Sequence, residues 1–354
     1  MAFLGGGSGQ SLFSNPIGLD YDYQPKLVKY REGEMRQIAA AMRPLFQKRS
    51  GRNVFIFGPS GVGKTVAVRN LLLELEQETD DILPFYINCW KCNTTFKILL
   101  EMCNAVNYKF VQNKRTEELF EIVKKDANKR AAVFVFDEVD KLDDIDFLYN
   151  IAEEVFNKAM ILITNHKDWI SELDGRIKSR LTAEMLEFRP YNLTETRGVL
   201  QQRMEFVFPP GTFENEAFEA VAQKASAVGD IRSGLYLMKE AANTAEERNS
   251  QRVTISDVSV AMNKLEEFSI KRTDELEDEA RFVLNIVKKN TGRKIGEIFN
   301  AYKEAGGDLV YKTFQRRILK LEDDRFITTE KITGGSEGST TLVKFGHEKK
   351  LTDF

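Results

Sequence analysis

The run Gly58-Pro59-Ser60-Gly61-Val62-Gly63-Lys64-Thr65 fills every fixed position of the phosphate loop G-x-x-x-x-G-K-[ST]. Its glycines let backbone N–H groups turn inward around phosphate oxygens, and a helix starting behind it adds positive potential. Lys64 is placed to reach β- and γ-phosphates, and the Thr65 hydroxyl to ligate Mg²⁺. Farther along, an apolar run ends in Asp137-Glu138, a Walker B pattern. There Asp137 would hold Mg²⁺ through its waters and Glu138 would polarise an attacking water. The two motifs together describe ATP hydrolysis to ADP, with residues 58–65 and Val66 as the nucleotide-binding set.

Other candidates stand singly. Asn165 follows an apolar run, where its amide can sense a γ-phosphate and orient water, or can simply end a strand. Residues 173–181 pack Arg176, Lys178 and Arg180 into one short stretch. In Gly229-Asp230-Ile231-Arg232 the arginine falls in the first turn of a helix, either solvated or pointing back at the nucleotide. Cys89-Trp90-Lys91-Cys92 has redox or zinc spacing, yet the chain has 3 Cys and 2 His, and no second pair completes a metal site. An odd cysteine count points to a reducing compartment and to structural thiols.

These residues must be carried by a regular frame. The apolar runs 54–57 and 132–136 read as buried parallel strands, and 83–88, 159–164 and 184–188 as further strands of the same sheet. Residues 31–48 read as a helix with Pro44 kinking its last turn, and 66–78, 95–106 and 116–129 as further helices. Alternating strands and helices give an α/β fold, a doubly wound parallel sheet with its ligand at the strand C-terminal ends. After Pro190-Tyr191-Asn192 the pattern becomes all helix: 194–208 opening at a Thr194-Glu195 cap, 214–228, 230–248, and 254–265 opening at a Thr-x-x-Asp box. Residues 266–279 read as a charged linker. Three more helices (280–290, 294–304, 310–322) precede two alternating strands (326–329, 340–345) that flank the glycine-serine tip 334–339. That order is a winged helix-turn-helix, whose third helix carries Lys312, Thr313, Gln315, Arg316, Arg317 and Lys320 off its apolar stripe. The domains expected are a flexible leader 1–14, a nucleotide-binding domain 15–190, an all-helical lid 191–266, a linker 267–279 and a C-terminal winged helix 280–347.

The 354 residues carry a net charge of −3, so any nucleic-acid surface must be local. Apolar residues make up 42% and charged residues 30%, the balance of a soluble globular chain, and no apolar run approaches the ~18 residues of a membrane span.

Taken together, the motifs resemble the AAA+ ATPases, and among them the archaeal replication initiators. These are relatives of the large subunit of the eukaryotic origin recognition complex and of its helicase-loading partner. Tyr23-Gln24-Pro25 with Arg31-Glu32 is similar to the family's Y-x-P…R-E, and Asn88-Cys89 with Thr94-Thr95 to its N-C…T. Phe136-Asp137-Glu138-Val139-Asp140 resembles L-D-E-x-D, and Arg176 to Leu181 resembles R-V-K-S-[SR]-L. Pro190-Tyr191, Phe208-Pro209-Pro210-Gly211 and Gly229-Asp230-Ile231-Arg232 come in the family's order. The resemblance implies that Asn165 is sensor 1, Arg232 is sensor 2, and Arg180 is a finger offered to a neighbour's ATP, with Arg176 as the weaker candidate. It implies that Tyr191 and Arg203 line the nucleotide. It also makes the helix after Thr94, with Thr95 and Lys97, an inserted DNA-gripping element beside the winged-helix residues Lys312, Gln315, Arg316 and Arg317. Two positions depart from the family pattern: His166 where Asp is usual after sensor 1, and Gly175 where Pro is common.

By function, the resemblance implies an ATP-switched initiator using ATP/ADP and Mg²⁺. It would bind double-stranded origin DNA, recruit or load the replicative helicase, and self-assemble or pair with a paralogue on DNA. Its place would be the cytoplasm, on the nucleoid, with no membrane partner. Two other readings keep the same engine: a clamp-loader or transposition ATPase with protein clients, and a signalling NTPase whose winged helix docks protein.

Overall fold

The structure is a computed structural model that describes residues 11–274, 278–323, 326–332 and 340–345. The glycine-serine tip, most of the leader and residues 275–277 of the expected linker lie outside those residues. The chain divides into two compact units, residues 1–260 and 261–354.

In the first unit α1 (Glu32–Met42) leads to β1 (Val54–Phe57) and α2 (Lys64–Glu78). Next come β2 (Ile82–Asn88), α3 (Thr95–Ala105), α4 (Thr116–Lys129), β3 (Ala131–Asp137), α5 (Asp146–Glu154) and β4 (Lys158–Thr164). Two short helices, α6 (Trp169–Glu172) and α7 (Gly175–Leu181), precede β5 (Glu184–Glu187). The strands form one parallel sheet in the order β2-β3-β4-β1-β5. Alternation along each strand feeds two cores. Phe55, Phe134, Phe136 and Leu162 pack with the α3–α5 side. Val54, Ile56, Val133, Val135, Ile161 and Ile163 pack against α1 and α2. The register sets Asn88 beside Asp137, Asp137 beside Ile163 and Phe57 beside Thr164. The loops after β1, β3 and β4 therefore open at the same edge, where ligands of such sheets bind.

The helix expected over 31–48 is shorter. It ends at Met42, and Arg43–Gln47 tighten into a 3-10 turn with Pro44 at its start, since proline supplies no N–H to continue the α-helix. The phosphate-loop helix begins at Lys64, two residues ahead of the expected start. The nine residues of α5 have no counterpart among the helices expected from sequence.

The lid comprises α8 (Leu193–Val207), α9 (Asn215–Val228), α10 (Ile231–Glu247) and α11 (Ile255–Asp274). The cap of α8 is Asn192, not Thr194. The Asn192 Oδ1 accepts the Glu195 N–H (2.9 Å), and Glu195 accepts the Asn192 N–H (3.0 Å). Of the box expected at Thr254 one half forms: Asp257 accepts from the Thr254 amide, and also from its hydroxyl, while the Asp257 N–H goes to the Thr254 carbonyl. Much of the stretch expected as a linker is helix instead, because α11 runs on to Asp274; its Glu, Lys and Arg are good helix formers.

The second unit continues with α12 (Asp278–Lys289), β6 (Arg293–Lys294), α13 (Ile295–Glu304), α14 (Tyr311–Asp323), β7 (Ile327–Ile332) and β8 (Thr340–Phe345). The strands pair antiparallel in the order β6-β8-β7. Val283, Val287, Ile298, Tyr302, Phe314, Ile318 and Val343 fill the core. Three helices and a hairpin are the order of a winged helix, with β6, too short to read from sequence, as a third strand. Among the described residues no helix is long and apolar enough to cross a membrane.

Candidate nucleotide-binding and hydrolysis site

The phosphate loop turns on positive φ at Gly58, Gly61 and Gly63. At Gly61 a Cβ would lie 1.8 Å from the Asp230 Oδ1, so the lid closes onto the loop at a place only glycine can occupy. Lys64 is 7% exposed, and its Nζ donates to the carbonyls of Gly58 and Pro59 (both 2.7 Å) and to the Asn165 Oδ1 (2.8 Å). The Asn165 Nδ2 donates to the Glu138 Oε2 at 3.2 Å. Lysine, asparagine and glutamate thus form one chain across the ends of β1, β4 and β3.

Glu138 sits at φ 54°, in the left-handed region that non-glycine residues seldom adopt. Burial first, then the charges of Asp137 and Asp140, raise its pKa, with Lys64 and Lys141 opposing them. Asp137 is 3% exposed; its Oδ2 accepts hydroxyl hydrogen bonds from Thr65 and Tyr86, both at 2.7 Å. Burial and the Asp137 charge push the Tyr86 phenol far above its usual range, so it stays a donor. Asp140 accepts from the Thr164 hydroxyl (2.6 Å) and pairs with Lys141 (2.7 Å), with His166 at 3.9 Å. Burial works against its ionisation, but these hydrogen bonds and charges hold its pKa below the ordinary aspartate value.

A cavity of about 450 Å³ opens beside these groups, bounded by the loop, the segment from Tyr21 to Lys29 and lid helices α8 and α10. Ser60, Gly61, Gly63, Lys64, Thr65, Val66, Asp137, Glu138, Asn165, Tyr191, Arg203 and Arg232 all line it. The Arg232 Nη1 donates to the Ser60 Oγ at 3.1 Å, so the lid arginine reaches the loop. The Arg203 guanidinium lies 4.6 Å from the Tyr23 ring centroid, and burial lowers its pKa. Gly58, Pro59 and Val62 complete the loop, with Gly58 and Pro59 holding Lys64.

The donor set fits Mg²⁺. A hydroxyl and a carboxylate meet at the cavity wall, both hard oxygen donors, and Mg²⁺ is usually held by one or two protein oxygens plus phosphate and water. No cluster of three or more His, Cys, Asp or Glu that could hold a metal by itself occurs among the described residues.

The remaining candidates lie elsewhere. Arg180 is on α7, more than half exposed and paired with Glu153 at 2.5 Å, and Arg176 pairs with Asp174; neither lines the cavity. Thr94 caps α3, the Thr95 hydroxyl donates to Asp144 (2.7 Å) and the Lys97 Nζ to Asn93 (3.3 Å), which groups the three in one turn, Thr94 and Thr95 half-buried and Lys97 exposed. In the second unit Lys312 and Arg316 are exposed on α14, Gln315 is half-buried, and Arg317 faces Glu279 at 3.7 Å.

Sequence patterns assign no role to two side chains that matter here. Arg31 is wholly buried and donates to the carbonyls of Val62 (3.1 Å) and Arg189 (2.5 Å) and to Glu34 (2.8 Å), with Tyr191 4.0 Å away. It ties the underside of the phosphate loop to the lid hinge. The only signal for it is its place in the Y-x-P…R-E resemblance. Tyr86 gives none, because an aromatic in an apolar strand reads as core.

A Walker-type loop and acid on this sheet, closed by a helical lid that returns an arginine to the loop, define a AAA+ ATPase. Family models agree: one described as an AAA domain matches residues 47–168, and one described as a Cdc6 AAA+ ATPase-type lid domain matches residues 197–263. In its lid and over its whole length the chain is similar to the ORC1/Cdc6 type of these ATPases. It is 28% identical to ORC1-type DNA replication protein 1 of Archaeoglobus fulgidus, over 97% of this chain and 90% of that protein. It is also 28% identical to ORC1-type DNA replication protein 1 of Sulfolobus acidocaldarius, over 93% of this chain and 89% of that one. Among solved structures it is similar to the Aeropyrum pernix ORC1 protein in complex with DNA, with 25% identity, a TM-score of 0.67 and 95% and 94% of the two chains covered. The A. pernix ORC2 protein (ADPNP-ADP complexes), at 15% identity, shares the fold with a TM-score of 0.74 over 94% of each chain.

Proposed function

We propose that this chain is a replication initiator that binds origin DNA, is switched by ATP and helps to recruit or load the replicative helicase. One observation supports the ATP reading most directly. A single lined cavity gathers the phosphate-loop lysine, the Walker B pair, Asn165 and the lid arginine Arg232. Lys64 neutralises charge on the β- and γ-phosphates. Glu138 accepts a hydrogen bond from the water that attacks, while Asn165 fixes the carboxylate it holds. Thr65 and Asp137 are the residues that would hold Mg²⁺, which when bound neutralises charge developing on the phosphates.

Arg232 hydrogen-bonds the loop through Ser60, so a γ-phosphate entering there competes for the same guanidinium. Occupancy of the cavity then changes what holds the lid, which is the differential contact that a two-state switch needs. Arg180, exposed on α7 and off its own cavity, is placed to serve a neighbouring subunit's site. DNA contacts fall to Lys312, Gln315, Arg316 and Arg317 on α14 and to Thr94, Thr95 and Lys97 at the start of α3. A footprint on the replication origin of the source genome, taken with ATP, with ADP and without nucleotide, tests the reading. Protection that depends on nucleotide is expected, and equal protection of origin and scrambled duplex would overturn it.

A further inference from the structure

Tyr86 stands between Phe85 and Ile87 in β2, two side chains that enter one core of the sheet, while Tyr86 itself lines the nucleotide cavity. The Arg69 guanidinium lies 5.2 Å from its ring centroid, and its hydroxyl donates to the Asp137 Oδ2 at 2.7 Å. That oxygen also takes the Thr65 hydroxyl at 2.7 Å, and the other, Oδ1, takes the Glu138 N–H at 3.0 Å. Three donors from three different elements therefore converge on one buried carboxylate.

A carboxylate oxygen offers about two acceptor sites, and two hydroxyl protons fill both on Oδ2. When Thr65 gives a lone pair to a cation, its proton still needs an acceptor, and Oδ2 remains that acceptor. Tyr86 fills the second site on Oδ2, which leaves the open acceptor site of the carboxylate on Oδ1. It comes from the neighbouring strand, so it also fixes the plane of the carboxylate against rotation.

We propose that Tyr86 is a positioning residue for the metal-binding carboxylate: its hydroxyl holds Oδ2 and orients Asp137 so that Oδ1 is the oxygen left to meet a divalent cation or its water. The proposal rests on the nucleotide-site reading above. It concerns the affinity for the cation and leaves affinity for the nucleotide alone untouched.

The test uses the full chain and the variant Tyr86→Phe, which keeps the ring and its Arg69 neighbour and removes only the hydroxyl. Mn²⁺ stands in for Mg²⁺, with free Mn²⁺ read by electron paramagnetic resonance during titration in the presence of ADP; ADP affinity in EDTA is measured by calorimetry. The expected result is unchanged ADP affinity in EDTA with Mn²⁺ bound about tenfold more weakly, as when a partner hydrogen-bonded to a metal ligand is removed. Wild-type Mn²⁺ affinity in Tyr86→Phe would overturn the proposal. So would an equal loss of ADP affinity in EDTA, which would make Tyr86 part of the cavity wall only. If the unmodified chain took up no ADP at all, the nucleotide-site reading itself would fall, an outcome visible before any variant is compared.

Discussion

At the scale of single residues, the site separates binding from hydrolysis. Lys64 is the residue proposed to meet the phosphates' charge, so Lys64→Ala should abolish nucleotide binding measured with a fluorescent ATP analogue. Glu138→Gln keeps the shape and the Asn165 contact but loses the charge, so it should bind ATP as well as the unmodified chain and hydrolyse it poorly in a phosphate-release assay. Wild-type turnover in that variant would remove Glu138 from catalysis. Arg31 answers to a different measurement. Arg31→Met strands the carbonyls of Val62 and Arg189 and the Glu34 carboxylate, and should destabilise the first unit by about 3 kcal/mol or more in urea unfolding. The phosphate loop and Walker B acids are legible from sequence because their chemistry is local: fixed spacing, with an apolar strand before each. Arg31 and Tyr86 are not, since their partners lie far along the chain and meet them only once the sheet and lid are assembled.

At the scale of elements, apolar runs mark β1, β3 and β4 to within a residue, because strands buried on both faces have little choice of composition. Short pieces are illegible for the opposite reason. The two residues of β6 carry no periodicity, and α5 lacks a side-chain cap to mark its start. The lid's last helix shows what a well-marked start contributes. Asp257 accepts from Thr254 and takes both the Arg248 Nε (2.8 Å) and Nη2 (2.7 Å). Burial opposes its ionisation, but these hydrogen bonds outweigh burial and leave its pKa lowered. A depressed carboxylate pKa adds stability that is fully present above the unfolded value of about 3.9 and is lost as pH falls through the folded value. Asp257→Asn should therefore cost about 2 kcal/mol near neutral pH, with the gap to the unmodified chain closing in acid. Unfolding curves at a series of pH values check both points, and a gap independent of pH would place the effect outside the ion pair.

For the whole molecule, a net charge of −3 confines nucleic-acid affinity to patches. Arg316 is exposed on α14; Arg316→Ala should cost about 1–3 kcal/mol on an origin repeat and relax preference at one base pair if it reads a base edge. Lys312→Ala should weaken all duplexes alike and lower the salt slope by about one. Assembly can be read from hydrolysis. An Arg180→Ala subunit mixed with a Lys64→Ala subunit should recover turnover on DNA, in the sites where an intact loop meets an intact arginine; a proven monomer that loses activity on Arg180→Ala would contradict action in trans. The way residues 23 and 24 are held bears on how the lid can move. Tyr23 lies under Arg203 of the lid, while the Gln24 side chain is bonded to the carbonyl of Val66 in α2. The chain itself crosses between the same two parts once more, at 188–192, where Phe188 is bonded to Phe57 and Asn192 caps α8. Two pins fix an axis, as on a door, and Arg232 on Ser60 is the latch. Under the switch proposed above, a lid mounted this way would turn the presence or absence of a single phosphate at the latch into an angle.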